Sequence, residues 1–258
     1  MLTTLSKASN SSMDSVFNSR VHQILLTREE IDVLPTAYTE KIREVFTGEY
    51  TLWTFETIRP FLAENFDPTV LEAFEKIKPL AFKADLARYC IVYIYGGWYF
   101  DLLVTLQSPE LIKKFDYEPE VIFFRDIPFA RTMLSVVNTL FWFKNPGHPI
   151  LKNLIKHAVS TILSGEYLEH PHAITGPVAF GKSIAKYQID TLDFNYLTGD
   201  TIMINDKPTH VFNSIEFEDY LPFSNRRGIH EHKDHILPQG YETRTNYMDM
   251  YWNRDLYN

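Results

Sequence analysis

The chain has 258 residues, with 25 basic and 33 acidic side chains for a net charge of −8. Hydrophobic residues make up 45 %, which excludes wholesale disorder, and the acidic balance argues against nucleic acid as the main partner. Cys90 is the only cysteine, so an intrachain disulfide and a multi-cysteine zinc site are excluded and a reducing compartment fits.

Residues 1–18 form a polar tail expected to be disordered, with no apolar stretch or cleavage site of a secretory signal. Residues 19–258 read as a single domain. The apolar run 21–26 predicts a buried strand. Helical spacing over 35–46 stops at Gly48, and 50–53 is a second strand. Thr54 or Thr57 caps the next helix, which carries Phe61 and Leu62. Asp67 and Pro68 open another that runs to about Lys78.

Pro79 starts a strongly periodic helix that Gly96 and Gly97 end, and 98–104 turns to β-type residues. Strands follow at 121–124 and 139–143, an amphipathic helix at 148–163 and a shorter helix at 181–187. From about 195 onward the chain reads as turns, aromatics and short strands. The longest apolar run, 89–100, falls short of the roughly 20 residues a bilayer span needs. Helices alternating with strands predict an α/β fold with a mixed central sheet.

The segment 83–106 carries the chemistry. Asp85 and Arg88 are three residues apart and share a helix face. Asp101 is read as lying within an apolar strand, between Phe100 and Leu102. A carboxylate there needs a cation, a metal ion or a cleft at the strand end. Ligands of open α/β sheets bind outside the carboxyl ends of the strands.

The same segment resembles the core motif of the glycosyltransferase family 32-like, DXD-containing sugar transferases. The motif runs K-A-D-x-x-R-Y, Y-G-G-x-Y, then D-x-D. Lys83, Ala84, Asp85, Arg88, Tyr89, Tyr95, Gly96, Gly97, Tyr99 and Asp101 match it. Outside that segment, Val21-His22-Gln23-Ile24, Leu52-Trp53, Asn65-Phe66 with Pro68, Asn138, Pro146-Gly147-His148-Pro149 and Thr175-Gly176-Pro177 also follow the family pattern. One departure stands out, because Leu103 replaces the second aspartate of D-x-D.

The resemblance implies a GT-A fold, Rossmann-like, that binds a nucleotide-diphosphate sugar. It implies a retaining transferase that moves a hexose or N-acetylhexosamine, from a UDP-sugar above all, to a hydroxyl of a glycan or lipid-linked saccharide. Surface or capsular polysaccharide synthesis in the cytoplasm is the implied setting, with a peripheral position at a membrane as the variant. Asp85 and Arg88 resemble the pair that holds the donor sugar, and Asp101 the carboxylate facing the donor diphosphate. His22, Gln23, Trp53, Lys83, Tyr99, Asn138 and Trp252 are the further donor-site candidates.

A divalent ion, Mn²⁺ or Mg²⁺, is the implied cofactor, with Asp101, His232 and Asn246 as candidate ligands. Leu103 cannot bind a hard cation. Three readings therefore stay open: a metal held by Asp101, phosphates, waters and a C-terminal ligand; neutralisation without metal; or a degenerate chain that binds sugar or nucleotide without turnover. A protein-modifying transferase is the remaining alternative. Residues 224–258 are read as a lid over the site or as a solvated loop. The spacing of His230, His232 and His235 does not give the i,i+4 pair of a zinc-protease helix. His22 reads equally as a buried histidine bonded to backbone.

Overall fold

The computed structural model describes residues 16–27, 37–102, 104–106, 119–124, 135–186, 200–204, 207–212, 223–224 and 246–258. Most of the N-terminal tail, Leu103, His232 and most of the anticipated lid lie outside the described residues.

The fold is α/β with a mixed central sheet flanked by helices. Strands β1 (Val21–Ile24), β2 (Tyr50–Trp53), β3 (Gly97–Phe100), β5 (Val121–Phe124), β6 (Leu140–Phe143), β7 (Asp200–Ile204) and β8 (Lys207–Phe212) form one seven-stranded sheet. Its order is β2-β1-β3-β6-β5-β8-β7. β1 lies parallel to β2 and β3, while β6 runs antiparallel to both β3 and β5. A second sheet pairs β4 (Thr105–Leu106) with β9 (Phe223–Ser224).

One helix, α1 (Ala37–Val45), covers one face. Its Ile42, with Phe46 just beyond its end, packs on Val21, Trp98, Phe100, Ile122, Phe124 and Trp142. The other face carries α2 (Phe55–Asn65), α3 (Pro68–Lys76), α4 (Leu80–Tyr95), α5 (Pro149–Ser164) and α6 (Pro177–Ala185). Ile24, Tyr99, Val121, Phe123, Phe141 and Phe143 point into that layer. The period-2 alternation of the strands thus divides the aromatics between two cores. Each fully buried large side chain contributes roughly 2–3 kcal/mol.

Local signals set the helix ends. The Thr57 hydroxyl accepts the Thr54 amide at 2.9 Å where α2 begins. Asp67 caps α3, and its carboxylate accepts the Thr69 amide at 3.0 Å. The helix expected at 181–187 starts earlier, at Pro177. Proline suits the first helical position, and Gly176 before it makes the extended N-cap. The C-terminal part is not strands alone: α7 (Tyr247–Trp252) is a helix capped by Asn246, whose side chain accepts the Asp249 amide.

The expected strand 98–104 stops at Phe100, and Asp101 lies just past its carboxyl end. The Asp101 amide donates to Thr139 at 2.7 Å, and its carbonyl accepts from Val104 at 3.0 Å, so the chain turns there. A half-exposed turn solvates a carboxylate that a strand interior would strand unpaired.

Candidate active site

Helix α4 is buried along almost its whole length, which brings Asp85 and Arg88 inside the protein. The helix ends at Gly96, whose amide donates to Val92 at 2.8 Å. Gly96 and Gly97 have φ values of 66° and 87°, a region that favours glycine. A Cβ on Gly97 would stand 2.4 Å from the Arg20 carbonyl oxygen, so this position has no room for a side chain. The turn sends the chain straight from the helix into β3. It therefore returns Asp101 to the side of the helix that carries Asp85 and Arg88.

Arg88 joins the two carboxylates. Its Nη2 lies 3.1 Å from Asp85 Oδ1, and its Nη1 lies 3.2 Å from Asp101 Oδ1. Nη1 also donates to the Asn138 carbonyl at 2.5 Å, and Nε donates to Ala84 at 3.2 Å. The guanidinium lies over the Tyr99 ring, 4.6 Å from its centroid. The Tyr99 hydroxyl donates to Asp101 Oδ1 at 2.6 Å. Burial alone lowers the arginine's pKa, but Asp101, Tyr99 and Asp85 outweigh it and raise the pKa.

Asp85 is closed off. Asn138 Nδ2 donates to its Oδ1 at 2.8 Å and Thr175 Oγ1 to its Oδ2 at 2.9 Å. Burial raises its pKa to about 6, while Arg88, Thr175 and Asn138 hold it from rising further. At neutral pH it is chiefly ionised. The Tyr89 hydroxyl completes the ring of partners, donating to the Thr175 carbonyl at 2.7 Å and receiving Asn138 Nδ2 at 3.2 Å. Asp101 differs, because its side chain is 33 % exposed. Both its interactions, with Tyr99 and Arg88, use Oδ1. Among the described residues Oδ2 has no partner.

The structure brings Asp85, Arg88, Tyr99, Asp101 and Asn138 together. Gln23 borders them, with Nε2 donating to the Asp101 carbonyl at 3.4 Å and Oε1 accepting from Tyr50 at 3.0 Å. That bond joins the carboxyl ends of the parallel neighbours β1 and β3, the place where open α/β sheets hold ligands.

The other candidates lie apart. His22 is bonded within the protein: Nε2 reaches the Gly96 carbonyl at 3.1 Å, and Nδ1 accepts Trp53 Nε1 at 3.3 Å. Burial lowers its pKa to about 4, so it is neutral. Trp53 packs with His22, Phe61 and Tyr95. Lys83 donates to the carbonyls of Phe74 and, at 3.2 Å, of Glu75, closing the C-terminal turn of α3. Burial lowers the Lys83 pKa to about 8. Asn246 is spent on capping α7, and Trp252 projects 65 % exposed into solvent. Among the described residues of the tail, Tyr247 approaches the cluster; it lies beside Phe82 and bonds His172 at 3.1 Å. Burial and the Asp85 charge raise its pKa.

Thr175 and Tyr89 were not among the residues singled out for the site. Both belong to stretches that follow the family pattern. Nothing local in the sequence marks Thr175, ninety residues from Asp85, as its partner.

Two carboxylates face one guanidinium, so the cluster carries a net negative charge and Arg88 is already compensated. A cation-binding role fits the one open oxygen, Asp101 Oδ2, since Mg²⁺ commonly takes one or two carboxylates together with substrate phosphates. Among the described residues no three metal-ligating side chains converge.

Residues 23–116 match the family described as "Glycosyltransferase sugar-binding region containing DXD motif". An uncharacterized glycosyltransferase, L373, of Acanthamoeba polyphaga mimivirus is 30 % identical over 173 residues, covering 67 % of this chain and 63 % of the relative. Inositol phosphoceramide mannosyltransferase 3 of Schizosaccharomyces pombe is 43 % identical over 35 % of this chain and 28 % of its own length. The chain thus spans less than two thirds of either relative. Among solved structures, PaToxG glycosyltransferase aligns with a TM-score of 0.47 and 16 % identity over 71 % of this chain and 77 % of its own. The segment that supplies Asp85, Arg88 and Asp101 lies inside the match to this DXD-containing glycosyltransferase sugar-binding region.

Proposed function

We propose that the protein is a GT-A-type glycosyltransferase that moves a hexose or N-acetylhexosamine from a nucleotide-diphosphate sugar, a UDP-sugar above all, to a hydroxyl of a glycan or lipid-linked saccharide. The single observation that carries this reading is the Asp85–Arg88–Asp101 cluster at the carboxyl ends of β1 and β3, shut at Asp85 and open at Asp101. Arg88, fixed by two carboxylates and two backbone carbonyls, holds both acids in place. Asp101 Oδ2, without a partner among the described residues, would be left for the donor. A sugar ring is rich in hydroxyls, and the cluster's paired acceptors and donors suit it. Transfer with retention, which the family resemblance implies, would run by front-face displacement, because among the described residues no enzymic nucleophile beyond the cluster's own carboxylates stands beside it.

A divalent ion, when bound, would neutralise charge on the departing diphosphate. Asp101 would hold it, with donor phosphates and water supplying the remaining positions. The net negative charge of the cluster supports this, because a diphosphate beside Asp101 would otherwise meet a like charge. The protein's own field, from a net charge of −8, opposes it too.

The test is a panel of UDP- and GDP-sugars, with and without Mn²⁺, read as nucleotide release and sugar transfer. GDP-mannose belongs in the panel, since one relative is named a mannosyltransferase. Metal-dependent release from one donor is expected. Full activity in chelator would remove the metal from the proposal. Donor binding with no release from any member would establish the rival reading that Leu103 motivates, a degenerate transferase that only binds.

A further inference from the structure

Two grooves flank α5, and one has a composition that the transfer reaction does not use. It is about 470 Å³ and lies between α5, the start of α3 and the C-terminal half of α4. Phe66, Val70, Tyr93, Ile155, Val159 and Leu163 make it apolar. Lys152 and Lys156, both exposed, also line it from α5. Tyr93 is eight residues beyond Asp85 on α4, about 12 Å along the axis, so the groove is separate from the carboxylate cluster.

The charge around it runs against the rest of the chain. Neither α5 nor α6 contains an aspartate or glutamate. With the residue that follows α6, they carry Lys152, Lys156, Lys182 and Lys186. Among the described residues, Lys152 and Lys156 have no ion-pair partner. Asp67, at the opposite side of the groove, is the one acid that lines it. Lys182 pairs with Glu169 and lines the other groove with Lys186, so the basic edge of the apolar slot is Lys152 and Lys156 on α5.

Charge and shape together select an occupant. A purely apolar peptide would leave the lysines unused, and a free anion would leave the slot unused. An amphiphile with an anionic head and a hydrocarbon chain uses both. Lysine stems lie along apolar surface while their ammonium groups reach the headgroups. Attraction to anionic lipid acts within a Debye length of about 8 Å, so a local basic face operates despite the overall charge.

We infer that this groove is a docking site for an anionic phospholipid at a membrane surface, with the headgroup phosphate on Lys152 and Lys156 and an acyl chain in the slot. The inference does not depend on the transfer reaction, and its test measures no turnover.

The experiment is co-sedimentation of the whole chain with vesicles of phosphatidylcholine alone or mixed with phosphatidylserine. Binding to the mixed vesicles and little to the neutral ones is expected. Lys156→Gln should weaken binding about fivefold, the worth of one basic residue near an anionic surface. Lys152→Gln with Lys156→Gln should weaken it about 25-fold on the same basis. Arg43→Gln on α1, with the same charge change, should leave it unaltered. Val159→Ser should also weaken it, and circular dichroism checks that each variant is folded. Equal binding to neutral vesicles, an Arg43→Gln effect matching that of Lys156→Gln, or an unaltered folded Val159→Ser would overturn the inference. So would full displacement by inorganic phosphate at matched ionic strength, which would mark the lysines as a site for a free anion.

Discussion

Asp85 and Asp101 are bound to the same guanidinium, yet they stand in opposite surroundings. Asp85 is sealed by Arg88, Asn138 and Thr175, with both oxygens taken. Asp101 uses one oxygen for Arg88 and Tyr99, and among the described residues the other has no partner. The inner carboxylate fixes the geometry, and the outer one is free to meet a ligand. Paired acids of equal residue type thus divide structure from chemistry by exposure.

Removing the shared cation tests that division most severely. Arg88→Met leaves two carboxylates facing each other, one of them buried. Breaking a buried pair this way costs about 3–5 kcal/mol, so urea unfolding should show a loss of that size or no folded protein. A loss under about 1 kcal/mol would show that the pair is not a buried unit.

The next test separates the two acids. Asp101→Asn should cost less stability than Arg88→Met, about 1–2 kcal/mol, since the buried Arg88 keeps Asp85 and the Asn138 carbonyl. It should lower nucleotide release from the preferred donor about 100-fold or more, a loss typical of a single electrostatic contact in an active site. Asp85→Asn should lower stability while changing the metal dependence little. If both variants lost stability alike and Asp101→Asn turned over normally, the assignment of roles would fail.

The pH dependence of stability offers a third. Asp85 has a folded pKa of about 6, raised above its unfolded value, so the folded state holds its proton where the unfolded state has lost it. Its contribution is present at low pH and is lost as pH rises from about 4 to about 6. His22 and His172 have folded pKa values lowered to about 4, so their contribution rises with pH from about 4 to about 6.5. The slopes oppose each other. Asp85→Asn should steepen the rise of stability with pH in this window, and His22→Gln should flatten it, each by up to ~1.4 kcal/mol per pH unit. Urea titrations at several pH values would measure both, and an unchanged slope in Asp85→Asn would contradict its raised pKa.

The smallest effect is expected from Tyr99→Phe. It removes one hydrogen bond to Asp101 and keeps the ring under Arg88. A loss of about 1 kcal/mol in stability and a several-fold drop in donor turnover should follow. Turnover measured beside Asp101→Asn would show whether the hydroxyl merely orients the carboxylate.

Much of the site could be read from the chain because it is local. Asp85, Arg88 and Asp101 lie along one helix, one turn and the end of one strand, and each of those elements carries its own signal. The Gly-Gly pair marked the turn, and the spacing of three marked the shared face. The partners that close Asp85 were harder. Asn138 and Thr175 come from distant loops, and only the family pattern drew attention to their segments. Lys83 misled for a physical reason: a lysine two residues from Asp85 points to a different side of the helix, where carbonyls at the end of α3 take it. His22 resolved to its buried, backbone-bonded reading. Asp101 was placed inside a strand because its neighbours are apolar, and residue types alone did not show that the backbone turns at that carboxylate. The amphipathic helix of 148–163 was legible, but the groove it forms with α3 and α4 depends on three helices meeting.

The glycine turn at residues 96 and 97 also sets a parity. Along β3, Tyr99 faces the helical layer while Trp98 and Phe100 face away. A single residue inserted between α4 and Trp98 would exchange those two sets. The indole and phenyl rings would be driven among the helices, and Tyr99 would leave Arg88 for the opposite core. Two residues inserted would restore the faces but carry Asp101 about 7 Å farther along the strand direction, beyond reach of the guanidinium. The chemistry of the strand end is therefore counted out from the turn, and the pair of glycines acts as the origin of that count.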